Sequence, residues 1–180
     1  MAGTDDFATR ARRGDEEAWA ALYARHHRRL VTWLTTLPAA DAASSPEDIA
    51  HEAWLTAAEK IATFRGGDDD FAGWLFGISR NHLLNRRRTA ARRATHPTDV
   101  HRDDDFWGTA PDPSSDVLDA DTVKQLLAQL STREAEVVAC IDVVGLDVAS
   151  AARALGISST AVRVARHRAL GRLRGLIDPR

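Results

Sequence analysis

The sequence has a single cysteine, Cys140, among 180 residues, so the chain cannot form an internal disulfide. Cys140 lies in an apolar helical segment, and we expect it to be a small core residue rather than a redox sensor. This scarcity is compatible with a reducing compartment, and we expect a cytoplasmic location. No apolar stretch approaches the roughly 20 residues that cross a bilayer, and the first residues are polar and acidic rather than a hydrophobic signal segment. We therefore expect no direct insertion into a membrane.

Runs of β-branched residues are also scarce, whereas alanine is abundant. This composition favours helices over strands. Ser131 and Glu134 have the spacing of a capping box, which predicts the start of a helix there. Apolar residues recur three and four apart through most of the chain, except in a segment rich in proline, serine and aspartate that contains the isolated apolar pair Phe106-Trp107. The sequence therefore predicts an all-α fold in which two small helical domains, residues 1–94 and 120–180, are joined by a flexible acidic linker at 95–119.

The net charge of -2 conceals an uneven distribution of charge. Two acid-free blocks are rich in arginine, and a cluster of aspartates between Asp99 and Asp121 lies between them. The first block contains Arg80, Arg86, Arg87, Arg88, Arg92 and Arg93, and the second contains Arg153, Arg163, Arg166, Arg168, Arg172 and Arg174. This pattern predicts two basic surfaces separated by a negative segment.

The second basic block coincides with a helix-turn-helix pattern from Val148 to Arg174. Gly156 is placed to end a first helix, Ser158 to cap a second, and Val162 begins the inward stripe of that second helix. An acid-free, arginine-rich second helix suits the major groove of DNA. An αα-hairpin with a solvated basic face is the alternative. The residues expected on the outward face are Ser159, Thr160, Arg163, Arg166, His167 and Arg168.

Two features of the N-terminal half also indicate binding surfaces. Ser45-Pro46 begins a helix on which Asp48 and Glu52 project together, although from the residues alone a solvated acidic face explains them better than a binding surface does. Further along, residues 65–70 are predicted to form a loop, and one long helix or two consecutive ones follow from Phe71. Aromatic residues at the start of this helical segment precede the first arginine block. Aromatic rings beside arginines are typical of single-stranded DNA binding, because bases stack on the rings; the alternative is that the rings belong to the core.

Three stretches together resemble the extracytoplasmic-function (ECF) sigma factors, a two-domain class of bacterial RNA polymerase initiation factors. They are SPEDIAHEAWLTAA, DDDFAGWLFGISRNHLLNRRR and LSTREAEVVACIDVVGLDVASAARALGISSTAVRVARHRALGRLR. The resemblance extends from Asp6 to Leu176. At three positions this chain differs from the residue usual in the family: His51 replaces glutamine, Gly77 replaces arginine and Asn85 replaces aspartate.

The resemblance implies a role for each surface. A first set would contact the β′ clamp helices of core RNA polymerase: Asp48, His51, Glu52 and Leu55. A second would face the melted non-template strand and the adjoining duplex: Phe71, Trp74, Arg80, Asn81, Asn85, Arg86, Arg87 and Arg88. The outward face of the helix-turn-helix would bind the upstream promoter element, and its domain would touch the polymerase β flap. Many members of the family are also held by an anti-sigma factor.

Two other functional classes are compatible with parts of the sequence. A stand-alone helix-turn-helix repressor would bind a duplex operator as a dimer, without polymerase. An enzyme would have to use His26, His51 and His82, whose helical settings favour structural roles. Because the sequence contains no phosphate-binding loop, metal-ligand cluster or nucleophile–base arrangement, we expect no catalytic residues, no cofactor and no metal.

Overall fold

A computed structural model describes residues 6–37, 45–95 and 120–177, and within these ranges the chain is helical and contains no strand. This confirms the predicted all-α class. The linker residues Phe106 and Trp107 lie outside the described residues. The helices are α1 (Phe7–Arg12), α2 (Glu16–Thr36), α3 (Pro46–Lys60), α4 (Asp68–Thr95), α5 (Ala120–Ala128), α6 (Thr132–Val138), α7 (Val148–Leu155) and α8 (Ser159–Ile177). A 3₁₀ turn, Ile61–Thr63, follows α3, and a π-helical turn, Ala139–Val143, continues α6.

No helix in the described ranges is both long and apolar enough to span a bilayer.

The predicted helix starts are confirmed by their caps. The Ser45 hydroxyl accepts a hydrogen bond from the Asp48 amide at 3.2 Å, and Pro46 occupies the first turn. Ser131 and Glu134 form both bonds of a capping box at α6. Each cap satisfies amide groups that the first turn of a helix leaves without an intrahelical partner.

The start of α4 differs from the prediction of a loop over residues 65–70. The helix begins at Asp68, and its first turn contains Asp68, Asp69 and Asp70. Three carboxylates at a helix start are favourable because the helix dipole is positive there. The prediction left open one or two helices after Phe71, and the structure shows a single continuous helix.

The C-terminal half forms the predicted helix-turn-helix. Gly156 ends α7 in the left-handed region, with φ of 65°, and the Ser158 hydroxyl accepts a hydrogen bond from the Ala161 amide at 3.1 Å. The inward stripe of α8, Val162, Ala165 and Ala169, is buried against α6 and α7. These positions confirm the inside and outside faces read from the sequence.

The two halves share one hydrophobic core. The first part of α4 packs on α3 on one side and on α7 on the other. Cys140, predicted to be a small core residue, is fully buried, and burial raises the pKa of its thiol to about 12. The Trp33 indole of α2 lies beside that thiol. The C-terminal half is thus held against the N-terminal half by apolar packing.

His26 is a buried titratable group in the N-terminal core. Its side chain is 3% exposed, its ring lies 5.7 Å from that of Phe71, and neither ring nitrogen has a hydrogen-bond partner among the described residues. Burial, followed by the nearby charges of Arg29 and Arg25, lowers its pKa to about 4. The folded protein therefore holds this imidazole neutral.

Stability should fall as pH is lowered through the range in which only unfolded His26 takes up a proton. The unfolded ring titrates near 6.5 and the folded ring near 4, so stability present above pH 6.5 is lost towards pH 4, by up to about 3 kcal/mol. We expect His26→Leu to remove this part of the pH dependence in urea unfolding at pH 7 and pH 4.5. His167→Gln, at an exposed position, should leave it intact; an unaltered profile in His26→Leu contradicts the assignment.

Candidate nucleic-acid interface

The outward face of α8 is largely exposed. Thr160, Arg163, His167 and Arg168 are exposed, and no acid occurs between Ser159 and Ile177. The buried stripe of α8 orients this face away from the core. A helix that presents short polar groups near its start and guanidinium groups along its length fits the major groove of a duplex.

Two other positions of the predicted set are less accessible. Ser159 is half-buried at the start of α8. The Arg166 guanidinium is paired with the Asp142 carboxylate, with Nε 2.9 Å and 3.2 Å from its two oxygens. This ion pair raises the pKa of Arg166 and holds the side chain against the π-helical turn. DNA would have to compete with Asp142 for this arginine.

The aromatic residues of α4 are less exposed than a stacking surface requires. Phe71 is fully buried among the rings of Trp19, Trp54 and Phe64. Its prediction as a DNA contact is therefore corrected: without exposed surface the ring cannot stack on a base, and it packs the core. Trp74 is half-buried, with its ring 4.7 Å from that of Phe64.

The polar residues of α4 lie further along the same helix. Asn81, Asn85 and Arg88 are exposed, whereas Arg80, Arg86 and Arg87 are half-buried. Arg80 binds the Glu136 carboxylate of α6 through Nε and Nη2, both at 3.0 Å. Arg86 is paired with Glu52 of α3. Two of the predicted DNA-binding arginines are thus engaged by carboxylates of the same chain.

The predicted polymerase-binding residues share one side of α3. Asp48, His51 and Leu55 are exposed, and the Leu55 side chain is 67% exposed. Glu52 is half-buried; besides Arg86 it faces His82, whose Nδ1 lies 3.5 Å from its Oε2. His82 is itself fixed by a 2.9 Å contact between its Nε2 and the Thr56 hydroxyl. An exposed acid and an exposed leucine therefore flank a carboxylate that α4 holds in place.

An apolar groove beside this surface was missed by the sequence reasoning. It has a volume of about 540 Å³ and is lined by Trp19, Ala20, Tyr23, His51, Trp54, Leu55 and Ala58. The ring of His27 is stacked between those of Tyr23 and His51, at 4.4 Å and 5.4 Å. Burial, followed by the charge of His51, lowers the pKa of His27. The spacing of Trp19 and Tyr23, four residues apart on α2, could have predicted that both rings lie on the groove side of this helix.

Within the described ranges, no three His, Cys, Asp or Glu side chains converge in a way that could hold a metal ion.

Comparison with protein families identifies both halves of the chain. Residues 22–93 match the model for sigma-70 region 2, and residues 120–173 match the model for sigma-70 region 4. The first match includes α3 and most of α4, and the second includes the helix-turn-helix. Each candidate surface therefore lies within a matched region.

The relatives of the chain are named as sigma factors. ShbA of Streptomyces griseus, an ECF RNA polymerase sigma factor, is 32% identical over 180 residues that cover 94% of this chain and 92% of ShbA. SigD of Mycobacterium tuberculosis, also named as an ECF RNA polymerase sigma factor, is 31% identical over 133 residues. That match covers 72% of this chain and spans 62% of the length of SigD.

Solved structures show the same fold. The structure of CnrH in complex with the cytosolic domain of CnrY is similar with a TM-score of 0.66 and 26% identity, over 96% of each chain. The sigma factor RpoE of Bartonella quintana, solved with the anti-sigma factor NepR, has a TM-score of 0.63 at 23% identity, over 92% of this chain and 96% of that one. The matched regions and the relatives together show that the chain belongs to the family of ECF RNA polymerase sigma factors.

Proposed function

We propose that this chain is an alternative sigma factor that binds core RNA polymerase, directs it to specific promoters and helps to melt the DNA. The observation that carries the proposal is the pairing of an acidic and apolar α3 surface in region 2 with an acid-free outward face of α8 in region 4. Members of this family are transcription initiation factors rather than enzymes. The action proposed here is therefore binding, in the cytoplasm, without a chemical step.

The α3 surface is proposed to bind the clamp helices of the polymerase β′ subunit. Asp48 and Glu52 offer negative charge, and Leu55 offers an apolar side chain that gains stability when it is covered. Charge complementarity of this kind favours correct docking and fast association. The C-terminal domain is proposed to contact the β flap, which would hold the two halves of the chain at a fixed distance.

The two DNA surfaces are proposed to act in different ways. The outward face of α8 binds the upstream promoter element as duplex, through Thr160, Arg163 and His167. The α4 surface, with Trp74 and Asn81, faces the melted non-template strand. Unstacking bases costs a few kcal/mol per step, and binding of the extruded bases offsets that cost without hydrolysis.

Each surface is small, so its affinity for DNA is weak when it acts alone. When polymerase fixes both surfaces on one assembly, the second contact becomes intramolecular and its effective concentration is high. The structure of RpoE with the anti-sigma factor NepR further supports the proposal that an anti-sigma factor binds this chain. Such a partner would compete with polymerase for the chain.

Run-off transcription tests the proposal directly. Core polymerase supplemented with this chain should give discrete transcripts from promoters of the chain's own genome, and core polymerase alone should not. Tight operator binding by the chain without polymerase, together with no transcripts, would instead support a stand-alone repressor.

The charge of Asp48 should be required for polymerase binding. We expect Asp48→Arg to weaken binding to core polymerase at least tenfold, about 1.4 kcal/mol, because it reverses a charge on the proposed interface. Glu47→Arg removes a carboxylate from the same first turn of α3 and is the matched control; it should bind almost as the parent does. A fluorescence titration with core polymerase measures both, and equal losses would argue for an effect on the helix alone.

Arg163 should contribute to recognition of the upstream element. If it contacts a base, Arg163→Ala should cost about 1–3 kcal/mol and relax the preference at one position of the element. If it contacts phosphate, all sequences should weaken alike. The holoenzyme's affinity for a panel of single-base promoter variants distinguishes these cases, and Arg174→Ala, beyond the centre of the same exposed face, serves as control. Full affinity in Arg163→Ala would rule out this contact.

A further inference from the structure

We propose that Val164 of α8 contacts the methyl group of a thymine in the major groove, so that this chain distinguishes thymine from the other bases at one position of its upstream promoter element. The inference rests on the proposed function in one respect, that the outward face of α8 enters a duplex. Val164 was not among the DNA-binding residues predicted from the sequence. Two observations carry the inference: the exposure of this side chain, and its place among the polar groups of the same face.

Val164 is an apolar side chain that the fold leaves in solvent. It is 44% exposed, and it is not among the apolar residues that form or pack against the hydrophobic core of the described ranges. The other large apolar side chains exposed in those ranges are Tyr23, Leu55 and Leu176. Tyr23 and Leu55 line the apolar groove beside α3, and Leu176 lies in the last turn of α8. Val164 is therefore the one of these four that lies in the middle of the proposed DNA-binding face.

The direction of Val164 follows from the buried side of α8, which consists of Val162, Ala165 and Ala169. Successive residues of an α-helix are rotated by about 100°, so a residue two positions after Val162 and one before Ala165 points away from this stripe. A β-branched side chain also lowers helix propensity relative to alanine. Valine at this position thus contributes neither to core packing nor to helix stability. Residues that break a local rule on an exposed face are expected at functional sites.

Polar and cationic side chains surround Val164 on this face. Four exposed residues each offer a hydroxyl, an imidazole or a guanidinium group there: Thr160, Arg163, His167 and Arg168. Residues three and four positions apart are neighbours on a helix surface, so Thr160 precedes Val164 by one turn and Arg168 follows it by one turn. Such groups bond to phosphates and to polar base edges. They would hold α8 in the groove while Val164 faces a base.

The chemistry of the major groove restricts what an exposed valine can recognise. The base edges there present hydrogen-bond donors and acceptors, and the apolar group among them is the C5 methyl of thymine. Valine neither donates nor accepts a hydrogen bond, so against a polar edge it removes water without replacing the lost bond. Against thymine it covers a methyl group, and burial of one such group is worth about fourfold in affinity. Thymine is therefore the base that fits opposite Val164.

A DNA probe is obtained by selection, without assuming its sequence. The full chain is mixed with duplexes that carry about 40 randomised base pairs, roughly four turns of DNA, in one arm with core polymerase and in a second arm without it. The tightest-binding duplex is the probe, taken from the polymerase arm where both arms are enriched. Enrichment only without polymerase contradicts the proposed function, and the valine test then proceeds on that duplex. Enrichment in neither arm overturns both the DNA role of this face and the contact proposed for Val164.

Each thymine of the selected motif is then replaced in turn by deoxyuridine, which removes the methyl group and leaves every hydrogen bond of the base. We expect one position at which the parent binds deoxyuridine about fourfold more weakly than thymine. Val164→Ala should lose affinity for the thymine probe and should not distinguish thymine from deoxyuridine at that position, because the same contact is already lost. Cytosine and 5-methylcytosine at this position provide the converse test. The parent should prefer the methylated base, and Val164→Ala should bind both alike.

Leu176→Ala is the matched control, because it also removes an exposed apolar side chain from α8. Its ratio of thymine to deoxyuridine affinity should equal the parent's, whatever its overall affinity, and circular dichroism checks that both variants are folded.

Two results would overturn the contact. One is equal affinity of the parent for thymine and deoxyuridine at every position, a measurement that needs no variant. The other is a deoxyuridine effect that persists in Val164→Ala, because another residue would then contact the methyl group. Neither result abolishes transcription by the holoenzyme, so a failure of the proposed function is seen separately, in the run-off assay.

Discussion

The close contact between α4 and α7 is the constraint on which the rest of the structure depends. The first half of α4 supplies Phe71, Leu75 and Phe76 to the common core. The face of α4 that carries Gly73 and Gly77 packs against α7. The second half of α4 carries the first arginine block, and its Arg86 is paired with Glu52 of α3. One helix therefore connects the proposed polymerase surface, the proposed melting surface and the C-terminal domain.

Charge pairing within the chain has the same consequence for each surface. Arg80, Arg86 and Arg166 are bound by Glu136, Glu52 and Asp142, which neutralises cations that DNA would otherwise attract. An ion pair with the chain's own carboxylate must be exchanged for one with phosphate, so the net gain on binding is small. We infer that affinity for promoter DNA comes from several carboxylate-to-phosphate exchanges made together, on a polymerase that holds the DNA-binding surfaces in place. This is a physical reason for a sigma factor to be selective only within the assembly.

Local rules were sufficient to predict the helices, the caps and the helix-turn-helix, because these features depend on residues within one or two turns of each other. The spacing of Ser131 and Glu134 is enough to predict a capping box, and the spacing of Gly156 and Val162 is enough to predict the turn and the second helix. The role of Phe71 could not be decided in that way, because three rings from other helices bury it. The pair Arg80–Glu136 is separated by 56 residues along the chain, and no spacing rule indicates it. The sequence also showed Gly77 in place of the arginine usual in the family, and only the structure shows that this position faces Ala154 of α7.

The central claim is that the two halves are docked in the free chain and held apart on polymerase. Spin labels at the exposed positions Ala62 and Val164, in a chain with Cys140 replaced by alanine, allow the separation of the halves to be measured with and without core polymerase. The account predicts one short distance in the free chain and a distinctly longer one in the complex. The same distance in both states would contradict it.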